Sequence, residues 1–295
     1  MSTPSSPSGL SALYRTFLLL SLLLFGWWAF HQGTPPLSPE MKAAETALKA
    51  KEVAKAREQF DKALNAHPGD LTTYMNILQL CQDSRQWGLM LQYTQTALTV
   101  FKDADPAVRA DLNLKLATAY ESLEPTRPRK NTLYAVQTAS QLDPQNPIIQ
   151  NAYGYLLADN DQNLDEAYDL IQKALKAVQT SSEPAIRQQL PAVEDSYGWV
   201  LYKKGRWKEA AEMLLKALYD YPEGMPGDAL KVSYYHLGAT YRLLEKFDEA
   251  RQALRSALYY DADYADAKAE MARIPQPADS TEPLISPSPS PLKKN

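Results

Sequence analysis

Few side chains of this chain have the types and spacing for bond-making chemistry. Its three histidines, His31, His67 and His236, share no metal-ligand spacing. His67 falls in a turn, and His236 stands mid-helix beside Tyr234 and Tyr235, where half-buried packing is expected. Cys81 is the one cysteine, so no intrachain disulfide forms, and it occupies an apolar helical position suited to a small buried hydrophobe. No nucleophile elbow, phosphate loop, dinucleotide fingerprint or zinc spacing occurs. The carboxylates that do recur, in Asp165-Glu166, Lys208-Glu209 and Asp248-Glu249, each stand where a helix opens. Acids there satisfy free N–H groups and the helix dipole, so recurrence points to capping. No catalytic residues, metal site or cofactor are expected.

The elements that carry these residues follow from composition and pattern. Net charge is −4, with no cluster of five or more Lys and Arg, which leaves a nucleic-acid footprint unsupported. Helix formers dominate the middle of the chain. Two segments there repeat each other: Ser196-Tyr197-Gly198-Trp199-Val200-Leu201-Tyr202 through Ala210, and Tyr235-His236-Leu237-Gly238-Ala239-Thr240-Tyr241 through Ala250. Gly198 and Gly238 are 40 residues apart, as are Ala210 and Ala250.

The two ends differ from the middle. Residues 1–9 are rich in Ser, Pro and Gly and are expected to be disordered. Residues 10–31 are apolar, with Arg15 near one end and Trp27-Trp28 at the other, placed as interfacial aromatics would be. The solid apolar run makes ~22 Å of helix, and counting from Leu10 extends it to ~31 Å, enough for a ~30 Å bilayer core. An uncleaved transmembrane signal-anchor helix is the favoured reading. A cleaved signal peptide competes with it, against the bulky aromatics where small residues should stand. Residues 32–39 form a Pro-rich spacer. The bulk of the chain is then expected on the extracytoplasmic, periplasmic side. Residues 275–295 read as a disordered Pro/Ser tail.

The Gly198 and Gly238 segments resemble the signature of the tetratricopeptide repeat (TPR), a helix–turn–helix unit of about 34 residues. The wording around Gly154 and Gly198 is similar in style to bacterial envelope TPR proteins with an N-terminal membrane anchor. The resemblance implies an all-α fold: a right-handed TPR superhelix, or α-α solenoid, over residues 40–274, preceded by one transmembrane helix. About six repeats are expected, at 37–70, 71–104, 110–146, 147–179, 191–224 and 231–264, with a cap at 263–274. Residues 180–190 interrupt the stack, and 185–190 are expected to prolong the following helix. Small residues such as Gly198 and Ala210 would let paired helices approach closely, and Leu116, Ala117 and Tyr120 would carry the third repeat's first helix.

In such families the groove is lined by the first helix of each repeat. Carried over by position, that face holds Asn151 and Tyr155 in the fourth repeat. The fifth supplies Asp195, Trp199, Tyr202 and Lys203, and the sixth Tyr235 and Arg242. The form that captures a carboxylate tail is a poor match, because Lys115 stands alone and Asn76 and Asn151 lack adjacent basic partners. The aromatics instead suggest a wall for an extended or helical peptide with apolar side chains. The expected role is a protein–protein interaction scaffold or adaptor at the membrane. The alternative is a structural subunit of an envelope or secretion complex assembled through permanent repeat packing.

Overall fold

The computed structural model describes residues 37–123, 130–222, 225 and 227–275. The expected anchor at 10–31, most of the spacer, the turn at 124–129 and residues 276–295 lie outside them. Among the described residues no helix is long and apolar enough to cross a membrane. These residues form helices and no strands. They fall into two compact units, up to Ile149 and from Gln150.

The first unit contains α1 (Pro39–Lys49), α2 (Val53–Ala66), α3 (Leu71–Asp83), α4 (Trp87–Val100), α5 (Pro106–Leu123) and α6 (Lys130–Leu142). Local chemistry sets where they start. Ser38 caps α1, its hydroxyl accepting from the Met41 amide at 3.3 Å, and Pro39 supplies a fixed first φ. Asp70 caps α3, accepting from the amides of Thr72 and Thr73 and from the Thr73 hydroxyl at 2.6 Å. Apolar residues then recur at helical spacing. Ala56, Phe60 and Ala63 form the buried stripe of α2, and Tyr74, Ile77, Leu78 and Cys81 that of α3. Helices α5 and α6 pack together, with Thr132, Val136 and Ala139 of α6 in the core. The reading of α5 needs correction. Leu112, Leu114, Ala117 and Ala119 are buried, whereas Leu116 and Tyr120 are only half-buried, because this helix buries most of its circumference.

α7 (Pro147–Asp159) carries the boundary between the units. The second unit continues with α8 (Leu164–Thr180), the single turn α9 (Pro184–Arg187), α10 (Leu190–Lys203) and α11 (Trp207–Asp220). It ends with α12 (Gly227–Leu243), α13 (Phe247–Tyr260) and α14 (Ala265–Ala272). The segment 185–190 does not prolong α10. Ala185–Arg187 belong to α9, Gln188 and Gln189 form a turn, and α10 starts afresh at Leu190 with Pro191 in its first turn.

Glycine fixes how closely the pairs approach. A Cβ on Gly198 would stand 2.6 Å from Leu214 Cγ and 3.3 Å from the Ala210 carbonyl. On Gly238 it would stand 2.6 Å from Leu254 Cγ and 3.3 Å from the Ala250 carbonyl. The 40-residue register read in the sequence is thus a repeated backbone contact. The final helix α14 closes one core cluster, in which Ala267, Tyr264 and Ile274 meet Ala250, Leu254 and Ala257.

Five first helices end in one motif. Lys51, Arg85, Asp161, Gly205 and Glu245 all have φ between 54° and 77°. The next residue then donates its amide five positions back: Glu52 to Ala47, Gln86 to Cys81, Gln162 to Leu157, Arg206 to Leu201, Lys246 to Tyr241. The second helices start without side-chain caps at Glu52, Gln86, Asn163, Arg206 and Lys246. This corrects the capping expectation. The first-turn acids keep their place near the helix dipole, yet their side chains engage cations. Asp165 takes Lys204, Glu209 takes Arg206, and Asp248 takes Arg251.

Candidate functional site

The eight groove candidates lie on α7, α10 and α12, all within the second unit. Asn151 and Tyr155 are four residues apart on α7. Asp195, Trp199 and Tyr202 follow an i, i+4, i+7 spacing on α10, and Tyr235 and Arg242 are seven apart on α12, so each set shares a helix face.

Burial separates the candidates into two sets. Asn151, Asp195 and Trp199 are buried, with Trp199 only 2% exposed. Tyr155, Tyr202, Lys203, Tyr235 and Arg242 are half-buried. Three of the candidates therefore back the face instead of presenting themselves on it.

Trp199 is the centre of the arrangement. Its ring stacks on Tyr202 at 4.6 Å between centroids, with planes 5° apart. It also stacks on His236 at 4.1 Å and reaches Tyr235 at 5.9 Å. Tyr155 comes to 6.2 Å from His236, and Tyr264 to 5.5 Å from Tyr235. Rings from α7, α10 and α12 are thus continuous, in the offset and tilted geometries that aromatic quadrupoles favour.

His236 is the residue that sequence reasoning underrated. It is 1% exposed, not half-buried, and its Nδ1 lies 3.0 Å from Asp195 Oδ2. The signal was present in the register: Asp195 precedes His236 by 41 residues, one repeat plus one. An Asp–His pair has the atoms of a proton relay, but among the described residues no hydroxyl or thiol is hydrogen-bonded to the His236 ring; the Thr240 hydroxyl donates to its backbone carbonyl instead. Here the pair braces the ring stack. The second Asp195 oxygen, the Trp199 indole N–H and the Asn151 amide are buried with no hydrogen-bond partner among the described residues.

The cations of the face are neutralised within the chain. Lys203 pairs with Asp161 at 2.6 Å and sits 5.1 Å over the Trp199 ring. Arg242 pairs with Glu270, which Arg273 also holds at 2.8 Å. Burial, reinforced by the Glu270 charge, pushes the Tyr202 hydroxyl above its usual range, so it stays a neutral donor and acceptor. An apolar, uncharged aromatic face with polar edges results. Among the described residues no group of three His, Cys, Asp or Glu could hold a metal ion. A shallow cavity of about 300 Å³ opens elsewhere in this unit, lined by Gly205, Arg206, Trp207 and Leu244.

Paired helices, with small residues at the crossings and left-handed turns between, give an all-α, TPR-like fold. A tetratricopeptide repeat family model matches residues 196–224, which span most of α10 and all of α11. A TPR repeat-containing protein of Pseudomonas aeruginosa is 27% identical over 195 residues, covering 65% of this chain. The chain spans only 30% of that relative's length. Among solved structures, the crystal structure of the APC/C hetero-tetramer Cut9–Hcn1 is similar in fold. It has a TM-score of 0.59 and 15% identity, over 90% of this chain and 48% of that one. YrrB, a TPR protein with an unusual peptide-binding site, matches at a TM-score of 0.44 and 20% identity, over 71% of this chain and 96% of its own.

Proposed function

We propose that this protein is an interaction scaffold whose second unit binds a peptide segment of a partner protein on the face formed by α7, α10 and α12. The observation that carries this reading is the continuous aromatic stack from Tyr155 through His236 and Trp199 to Tyr202 and Tyr235. Half-buried tyrosines offer contact area at little entropic cost, and aromatic anchors dominate binding energy at protein interfaces. The internal pairing of Lys203 and Arg242 favours apolar ligand side chains over a charged tail. The TPR repeat at 196–224 supports the same class of role.

The N-terminal apolar segment, residues 10–31, would hold this scaffold at a membrane, with the repeats on the extracytoplasmic side. Protease accessibility in spheroplasts, where the outer membrane is opened and the inner membrane intact, checks that placement: protection of the repeats there would refute it.

The binding reading is tested by selecting peptides on the full chain from a random library, then measuring the affinity of a selected peptide for Tyr202→Ala and Tyr235→Ala. Each should weaken binding at least tenfold, roughly the 1.4 kcal/mol of a modest hot spot. Unchanged affinity in both variants refutes the site. Trp199→Ala is a poorer probe, because it opens the interior.

A further inference from the structure

The outer face of α13 carries an ordered series of basic and aromatic side chains. Arg251, Arg255 and Tyr259 follow at i, i+4 and i+8, so they form one stripe. Arg255 and Tyr259 are exposed, Tyr259 by 52%. Tyr259 meets Tyr260 edge-on at 5.3 Å, and Tyr260 is held flat against Tyr234. An aromatic platform therefore stands one turn beyond the exposed Arg255, while Arg251 is half-buried and paired with Asp248.

The start of the stripe is already occupied by the chain itself. Arg251 Nη2 donates to the Pro275 carbonyl at 2.7 Å, where the described residues end. The residues that follow carry Asp279 and Glu282, then the run Pro287-Ser288-Pro289-Ser290-Pro291. The order along the tail matches the order along the helix: an anchored proline at Arg251, carboxylates for Arg255, and prolines for Tyr259 and Tyr260. Proline-rich segments dock on aromatic surfaces because their extended helix is preformed and loses little entropy. The reach suffices. Arg251 to Tyr259 is ~12 Å along the helix, and the residues from Pro275 to Pro287 span up to ~37 Å when extended as polyproline.

We infer that residues 276–295 dock back on α13, with Asp279 or Glu282 on Arg255 and the Ser-Pro run on Tyr259 and Tyr260. This intramolecular contact is independent of the groove reading. It is tested in the full chain by Tyr259→p-benzoylphenylalanine, a change at an exposed site, with irradiation and mass-spectrometric mapping. The expected adduct is intramolecular, joins α13 to the tryptic peptide 274–293, and keeps its yield on tenfold dilution. Adding Arg255→Glu with Pro287→Ala, Pro289→Ala and Pro291→Ala should remove most of that yield. Absence of a tail adduct, an adduct whose yield falls on dilution, or a yield indifferent to those substitutions overturns the inference.

Discussion

Asp195 Oδ2 lies 3.0 Å from His236 Nδ1, with both residues buried and the imidazole stacked on Trp199. The contact ties α10 to α12 and orients the ring on which the aromatic face rests. Removing one partner leaves the other buried with its polar atom unmet. Asp195→Ala should therefore cost about 1–3 kcal/mol of stability. Asp195→Asn, which keeps an oxygen in place, should cost less. Urea unfolding of the two variants decides, and equal losses would show that the pair does not brace the stack.

The two glycine crossings should respond alike. Gly198→Ala and Gly238→Ala each drive a methyl to 2.6 Å from a leucine Cγ, so each should destabilise by about 1–3 kcal/mol. Pairing Gly198→Ala with Leu214→Ala should recover less than half of the loss, since the Ala210 carbonyl also crowds the site at 3.3 Å. A double-mutant cycle in urea measures this coupling.

The left-handed turns set a third expectation. Gly205 has φ of 77° with open space around its Cα. Gly205→Ala should then cost about 1 kcal/mol through backbone strain alone. The equivalent Glu245, 40 residues on, already bears that cost at φ 59°. Glu245→Gly should be neutral or slightly stabilising, and thermal unfolding of both variants checks the contrast.

The Asp70 cap carries a pH signature. The Thr73 hydroxyl, with the Thr73 and Thr72 amides, holds its carboxylate below the usual 3.8 against the opposing effect of burial. A lowered folded pKa gives stability that is present above 3.8 and lost as pH falls through the folded value. Asp70→Ala should cost about 1 kcal/mol at pH 7. The two proteins should converge as pH falls below that range, which urea titrations at pH 7 and pH 3 would register.

The fold was legible where one residue type meets one backbone demand. Gly198 and Gly238 announce close crossings because nothing larger fits, and Ala210 and Ala250 keep the same register on the facing helices. Positions decided by neighbours distant in sequence were harder. Trp199 falls on the expected face by counting, yet its burial depends on Tyr202, His236 and Tyr235 closing round it. Arg242 and Lys203 read as groove cations, but Glu270 and Asp161, from other elements, claim them. The acids that open α8, α11 and α13 were placed correctly and assigned the wrong partners, because a string of letters does not separate a capping amide from a lysine one repeat away, as for Asp165, or an arginine three residues off, as for Glu209 and Asp248. Helix α5 has the least amphipathic pattern, and periodicity cannot orient a helix that is buried nearly all round.

The turns closing α1, α3, α7, α10 and α12 hold Lys51, Arg85, Asp161, Gly205 and Glu245 in one backbone conformation, sealed by one amide-to-carbonyl bond. Because main-chain atoms close the turn, a cation, an anion and a bare hydrogen all occur as its side group, the bare hydrogen alone without left-handed strain. The closure of these corners thus does not depend on the sign of their charge. A dye or affinity handle can be grafted at the exposed Lys51 or Glu245, whereas the Asp161 carboxylate is claimed by Lys203.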